Sequence, residues 1–433
     1  MRAFAYLLLM SFLAACSTPS NSDPVAQFDP FAEQYVRLAL ALAVHDEYYV
    51  DSYFGPEEWR EQAVAEAKSL ETIVSEAGEA AANIRAIDVT SEDYLVRVRQ
   101  DFLASHLESM AAVARMRNGE QFSFDEESER VYGFVAPSFP VEHYDEVLAE
   151  LDTLLPGDGP LHERIYEFNL QFRIPEDKVE AVVLAGIEEC KNRTLDHMEL
   201  PAGEAFVFEL VSGNPWGAYN WYQGNYQGLI QVETSRPISV FAATVYGCHE
   251  GYPGHHTFSS LLEKNYLQDR GWVEFSVFPL FSPMGVIFEG SGDLAESIAF
   301  PGESKTKFLR EVIAPIAGIE DADFELKAKL SAVQHKMRYV GIEASRNYQD
   351  GVWDREQTVE WLTNYELRSP ENIDAFFGFN DRYGAYVINY VLGQDLTAEY
   401  VSKLNPEADE EGDWQALATL LSYPPTPLLF EED

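Results

Sequence analysis

The chain has 433 residues, enough for one large domain or two to three smaller ones, and its 46% hydrophobic and 13% aromatic content supplies a sizeable core. With 30 basic against 73 acidic residues the formal charge is -43, so the average surface field repels nucleic acid and anionic membrane surfaces. The same field disfavours a strongly anionic substrate unless the site brings its own cations, and the sequence contains no phosphate-cradling glycine loop, basic nucleic-acid patch or internal repeat.

Residues 1–16 read as an export signal: Arg2 is basic, 3–12 form an apolar run too short to span a bilayer, and Leu13-Ala14-Ala15-Cys16 closes it. The pattern resembles a bacterial lipoprotein signal, which implies cleavage before Cys16 and lipid on its thiol. Ser17 after the cysteine points to the outer membrane of the cell envelope. A polar tether follows over 17–28. Residues 29–433 are expected to form one large, mostly α-helical domain, with an N-terminal helical part (29–200), a central part (201–300) and a C-terminal helical part (301–433). The two remaining cysteines, Cys190 and Cys248, make no disulfide framework. A bridge between them is left open, and Cys248 is expected to pack as a small buried hydrophobe.

In chain order, apolar periodicity predicts a helix over 31–53 that stops before Gly55-Pro56, then helices over 57–86 and 91–116. Residues 118–140, with Gly119, Gly133, Pro137 and Pro140, read as a long connection. Helices over 141–155 and 175–198 come next. The composition then changes. An apolar run at 206–211, an aromatic and turn-rich stretch at 214–224 and an alternating strand at 229–233 predict a small β element, whose rings are expected mainly in the core. A strand edge there offers a place for an extended peptide to add itself.

Pro237 suits a first helical turn, after which Ile238, Phe241, Ala242, Val245, Cys248 and His249 fall on one stripe. That stripe ends in Cys248-His249-Glu250-Gly251-Tyr252-Pro253-Gly254-His255-His256. A His-Glu pair followed within two turns by another His is the grammar of a metal-hydrolase helix, in which imidazoles hold the ion and the glutamate handles the proton of the attacking water. The common spacing H-E-x-x-H is broken here by Pro253. If Pro253-Gly254 loops out as a two-residue bulge, His255 returns to the second ligand position. On an unbroken helix His256 would share a face with His249, about 20° short of two turns but roughly 10 Å further along. His255 is the preferred ligand, with His256 the alternative.

An open zinc site needs a third protein ligand. The segment 284–300 supplies Glu289, Asp293 and Glu296 at i, i+4 and i+7 on an otherwise apolar helix, an arrangement that is costly without a cation. Gly290 and Gly292 permit close backbone approach there. HEGYPGHH at 249–256, followed some forty residues on by EGSGDLAE at 289–296, resembles the bacterial family known as domain of unknown function 885, whose members pair H-E-x-x-P-G-H with E-G-W-A-L-Y-A-E. Ser291 and Leu294 depart from that second motif, where Trp and Tyr are usual. DSYFGPEEWR (51–60), GVWDREQTVEWL (351–362) and RYGAYVINYVLGQD (382–395) have a similar family look.

The resemblance implies a helical relative of the glutamate-ligand zinc peptidases, with one Zn²⁺ on His249, His255 and Glu289 and with Glu250 as general base. Glu296 and Asp293 would support the ligands from behind. In related peptidases a late tyrosine stabilises the oxyanion. Tyr383, Tyr386 and Tyr390 are placed on one helical face beside Arg382, and Tyr390 is the donor expected. The implied function is a lipid-anchored envelope zinc metallopeptidase acting on a peptide. The alternatives are a non-catalytic peptide-binding lipoprotein on the same scaffold, or a metal hydrolase of another amide or ester.

Overall fold

The computed structural model describes residues 24–90 and 92–431, so Cys16 and the signal reading lie outside the described residues. The described chain is mostly α-helical with two small sheets. Strand β1 (Val50–Tyr53) pairs antiparallel with a strand more than two hundred residues later. The second sheet contains β2 (Ala205–Val211), β3 (Ala218–Gly224) and β4 (Gln227–Glu233) in the order β2-β4-β3, with β2 parallel and β3 antiparallel to β4. The partner of β1 is β5 (Val277–Pro279). No described helix is long and apolar enough to cross a membrane.

Several boundaries differ from those the periodicity predicts. The first helix is Pro24–Ala43, so residues 24–28 of the expected tether are helical, and Phe28 is buried. It stops well before residue 53, because the Asp46 side chain accepts from the Tyr48 backbone in a local turn and the chain then enters β1. The expected helix over 57–86 is two, Glu57–Glu66 and Leu70–Arg85. Ala67 takes a left-handed conformation between them, and Ser69 caps the second through Thr72 N–H.

Residues 118–140 are not a plain connection either. Ser123 and Glu126 form a capping box that starts the turn Phe124–Glu127, which widens into a π turn at Ser128–Tyr132. Helix Leu161–Asn169 has no counterpart in the sequence reading. Its Ile165 joins Tyr144, Leu151 and Leu330 in a small satellite core. Residues 238–240, expected as helix, instead lie extended beside 172–174, with Ile174 N–H donating to Ile238 O and Val240 N–H to Phe172 O.

One main core unites residues from the first helix to the last, and three tight contacts in it position the site. Helix Met284–Ala299 crosses helix Ile388–Leu404 at Gly290 and Gly393, where a Cβ on Gly290 would stand 2.2 Å from the Gly393 carbonyl carbon. Helix Val179–His197 meets helix Ala242–Tyr246 at Gly186, where a Cβ would lie 1.9 Å from Ala243 O. Beside that crossing Cys190 and Cys248 form a disulfide, Cα atoms 5.3 Å apart, which corrects the reading of Cys248 as an unpaired packing residue. The helices approach closely enough to bring the two thiols face to face. Finally, the buried Arg99 on helix Tyr94–Arg117 donates to Glu274 at 2.6 Å and also reaches Asp29, anchoring the approach to β5.

Candidate metal centre

Helix Ala242–Tyr246 widens at its end into a π turn, Gly247–Gly251, that carries His249 and Glu250. Insertions of this kind re-aim side chains within a helix. The chain then turns over Tyr252 and Pro253, joined by a cis peptide, to Gly254. Gly254 N–H donates to Cys248 O, and a Cβ on Gly254 would stand 1.9 Å from His249 O, so only glycine fits there. A new helix, His255–Leu262, begins at once. The expected two-residue bulge takes the form of a π turn, a bend over 252–254 and a second helix. The outcome for the imidazoles is nevertheless the one anticipated, with the His249 and His255 rings 4.5 Å apart.

Glu289, on helix Met284–Ala299, completes the group. Its Oε2 lies 3.0 Å from His249 Nε2 and 3.5 Å from His255 Nε2, and the three donors lie within 4.8 Å of one another. Two ligands of a tetrahedral zinc with bonds near 2.05 Å are separated by about 3.3 Å, which these spacings bracket. His255 Nδ1 is buried without a hydrogen-bond partner, and the N, N, O donor set is one that zinc accepts. The residues fit a zinc-type ion.

The other predicted residues separate. Asp293 Oδ1 lies 2.9 Å from His249 Nδ1 and fixes that ring from behind, the arrangement common for metal-bound histidine. Glu296 does not join it: seven residues on from Glu289, its Oε2 accepts from Lys305 Nζ at 2.5 Å, away from the cavity lining. His256 is likewise no ligand in this geometry. It is fully buried on the opposite side, with Nε2 3.0 Å from Glu204, a carboxylate that also receives Lys191 and the Tyr252 hydroxyl. An unbroken helix would have brought His256 back toward His249, and the bend at Pro253 rotates it out.

Glu250 is buried and lines a cavity of about 350 Å³ in front of the three donors, while its carbonyl accepts from Asn220 Nδ2 on β3. Burial raises its carboxyl above the usual range, an effect opposed by the charges of His249 and His255. Burial alone would lower the His249 imidazole, but its bonds to Asp293 and Glu289 outweigh that and raise it well above its ordinary value. Glu289 is held far below the usual carboxylate range because the two histidines overcome the effect of burial.

The late tyrosines do not share one continuous helix. Helix Ile373–Tyr383 ends, a 3-10 turn covers Gly384–Val387, and helix Ile388–Leu404 follows; yet Tyr383, Tyr386 and Tyr390 all line the cavity. Tyr386 donates to Glu289 Oε1 at 2.5 Å, and the Tyr390 ring lies 6.3 Å from that of His249. Sequence reasoning missed Asp51 and Tyr219 as site residues. The Tyr219 hydroxyl donates to Asp51, and both face the cavity. The only signal for Asp51 was its place at the head of DSYFGPEEWR.

No family model and no curated protein matches the sequence. In overall course the chain is similar to three solved structures. They are a candidate lipoprotein from Colwellia psychrerythraea (14% identical, 91% of this chain and 74% of that one, TM-score 0.48), an M32 carboxypeptidase from Deinococcus radiodurans R1 (12%, 94% and 94%, 0.38) and metallocarboxypeptidase 1 of Trypanosoma cruzi (13%, 93% and 93%, 0.39). These likenesses are too loose to carry function, so the reading of the site rests on its own geometry.

Proposed function

We propose that the chain is a zinc-dependent hydrolase of peptide bonds, anchored by lipid on Cys16 in a bacterial envelope, and a member of the domain of unknown function 885 family. One observation carries the catalytic part: two imidazoles and a carboxylate converge behind a cavity into which a second, unpaired carboxylate, Glu250, is aimed. Bound there, a divalent ion would supply Lewis-acid polarisation of the scissile carbonyl and acidify water. The chain's own residues supply the rest. Glu250 takes the proton of the attacking water and returns it to the leaving amine, a role suited to a carboxyl whose pKa burial has raised. Asp293 and Tyr386 hold His249 and Glu289 in orientation, and Tyr390 stands at the cavity wall as donor to the developing oxyanion.

The peptide reading is supported by β3, an edge strand whose Ala218, Tyr219 and Asn220 line the cavity, where an extended chain can lie. The envelope reading is supported by the signal-like N-terminus and by the Cys190–Cys248 disulfide, which persists in oxidising compartments. The test is metal content together with hydrolysis of a broad peptide library by wild type and Glu250→Gln. One zinc per chain is expected, with at least a hundredfold loss of turnover in the variant. Stoichiometric zinc with no hydrolysis, or equal turnover by the variant, refutes the proposal.

A further inference from the structure

The cavity has a second polar end. In β1, Val50 faces Pro279 and Ser52 faces Phe278, so Asp51 is the extra residue of a β-bulge. Bulges of this kind re-aim a side chain, and here the displaced carboxylate joins the lining of the cavity, where the Tyr219 hydroxyl from β3 holds it. Aromatic rings stand around it: Trp216 and Tyr219, 5.6 Å apart, then Phe278 and Tyr383.

The charge of the lining is one-sided. Asp51, Glu250, Glu289 and Asp293 contribute carboxylates, and no lysine or arginine is among the described lining residues. A divalent ion bound there would face four acidic side chains and no lysine or arginine. The nearby arginines are engaged elsewhere. Arg236 donates to the carbonyls of Asn214 and Trp216, Arg338 pairs with Asp395, Arg368 with Glu366, and Arg382 lies over the rings of Tyr48 and Tyr383 and lines a neighbouring cavity. A substrate's free α-carboxylate would find no lysine or arginine in that lining. An ammonium group would find a carboxylate in a cavity that aromatic rings also line, and both attract cations.

We propose that Asp51 anchors a primary ammonium group of the substrate, either the free N-terminus or a lysine-type side chain next to the scissile amide, and that the site discriminates against a free C-terminal carboxylate. This deepens the peptidase reading above and rests on it. Burial lifts the Asp51 carboxyl to about 6, with the Tyr219 bond and the charge of His255 opposing, so an arriving cation relieves an unfavourable burial.

The test uses zinc-loaded protein in two assays. In the first, calorimetry on the Glu250→Gln protein measures binding of phenylalanine amide, N-acetylphenylalanine amide and N-acetylphenylalanine. Phenylalanine amide is expected to bind roughly tenfold or more tightly than either acetylated probe, and Asp51→Asn introduced into that background is expected to abolish the preference. In the second, wild type is given peptides with free or acetylated N-termini and with lysine or acetyl-lysine at successive positions. Loss of cleavage on N-terminal acetylation assigns the α-amine, and loss on lysine acetylation assigns the side chain. Equal binding of the free and acetylated amides overturns the proposal, as does tightest binding by N-acetylphenylalanine. The wild-type probe series decides even if Asp51→Asn does not fold. Discriminating binding without cleavage of any peptide would refute peptidase action and leave the ammonium subsite standing.

Discussion

Metal uptake should release a proton, and the count tests the electrostatics of the centre directly. Without an ion, His249 sits between Asp293 at 2.9 Å and Glu289 at 3.0 Å, and these two carboxylates raise its pKa well above the ordinary value. An imidazole at the ordinary 6.5 is only about one-tenth protonated at pH 7.5, so it would release about 0.1 proton to an incoming cation. A His249 held as imidazolium releases about one, because a metal ligand must be neutral. Titrating zinc into metal-free protein at pH 7.5, in buffers of differing ionisation enthalpy, yields the number from the slope of heat against buffer enthalpy. The Glu250→Gln variant serves as background, so that any proton on Glu250 does not contribute. Zinc-bound water adds its own fraction of a proton, so the count is taken against Asp293→Asn in the same background; the parent is expected to release more protons per zinc, up to about one more, and its apparent affinity to fall by about tenfold or more for each unit the pH is lowered below that of the assay. Equal counts from the parent and the Asp293→Asn protein would refute the claim that the carboxylates hold a charged imidazole in place before the metal arrives.

Two further outcomes follow from features outside the ligands. Gly290→Ala puts a methyl group 2.2 Å from the Gly393 carbonyl carbon, so the two helices must part by about 1 Å or more; a loss of about 1–3 kcal/mol and weaker zinc affinity are expected, read by thermal denaturation and chelator competition. An unchanged melting temperature and affinity would show that the crossing has slack. His106 is fully buried, with Nδ1 2.7 Å from Phe102 O, and burial lowers its pKa to about 4. Its folded pKa lies below the unfolded one, so the stability it contributes is complete above about pH 6.5 and is lost as pH falls toward 4; by pH 4.5 the loss is about 2.5 kcal/mol. Urea midpoints at pH 7 and 4.5 should therefore drop less in His106→Gln than in wild type, and equal drops would show that His106 is not the group that titrates.

What the sequence made legible was local. The acids four residues apart at Glu289 and Asp293 and the small residues Gly290 and Gly292 describe one helix face, and the structure uses each of them; the apolar stripe ending at His249 holds only in part, since Ile238 lies ahead of the helix and Val245 is exposed. What was hidden depended on contacts distant in sequence. Asp51 reaches the cavity because β1 pairs with β5, and the disulfide exists because Gly186 lets two helices touch. Glu296 and His256 misled for one shared reason: ideal helical spacing assigned them to the site face. In the molecule Lys305 offers Glu296 a nearer partner, and the bend at Pro253 turns His256 toward Glu204.

The bond from Tyr386 to Glu289 spans 97 positions, and it makes the order of synthesis matter. A chain still emerging from a ribosome or an export channel carries both histidines and Glu289 well before the residue that steers that carboxylate. Until Tyr386 arrives, Glu289 Oε1 lacks its hydrogen-bond donor, and the cavity also lacks the wall formed by Tyr383 and Tyr390. On the function proposed above, a hydrolase built this way would become competent only when its last quarter has folded back onto its middle.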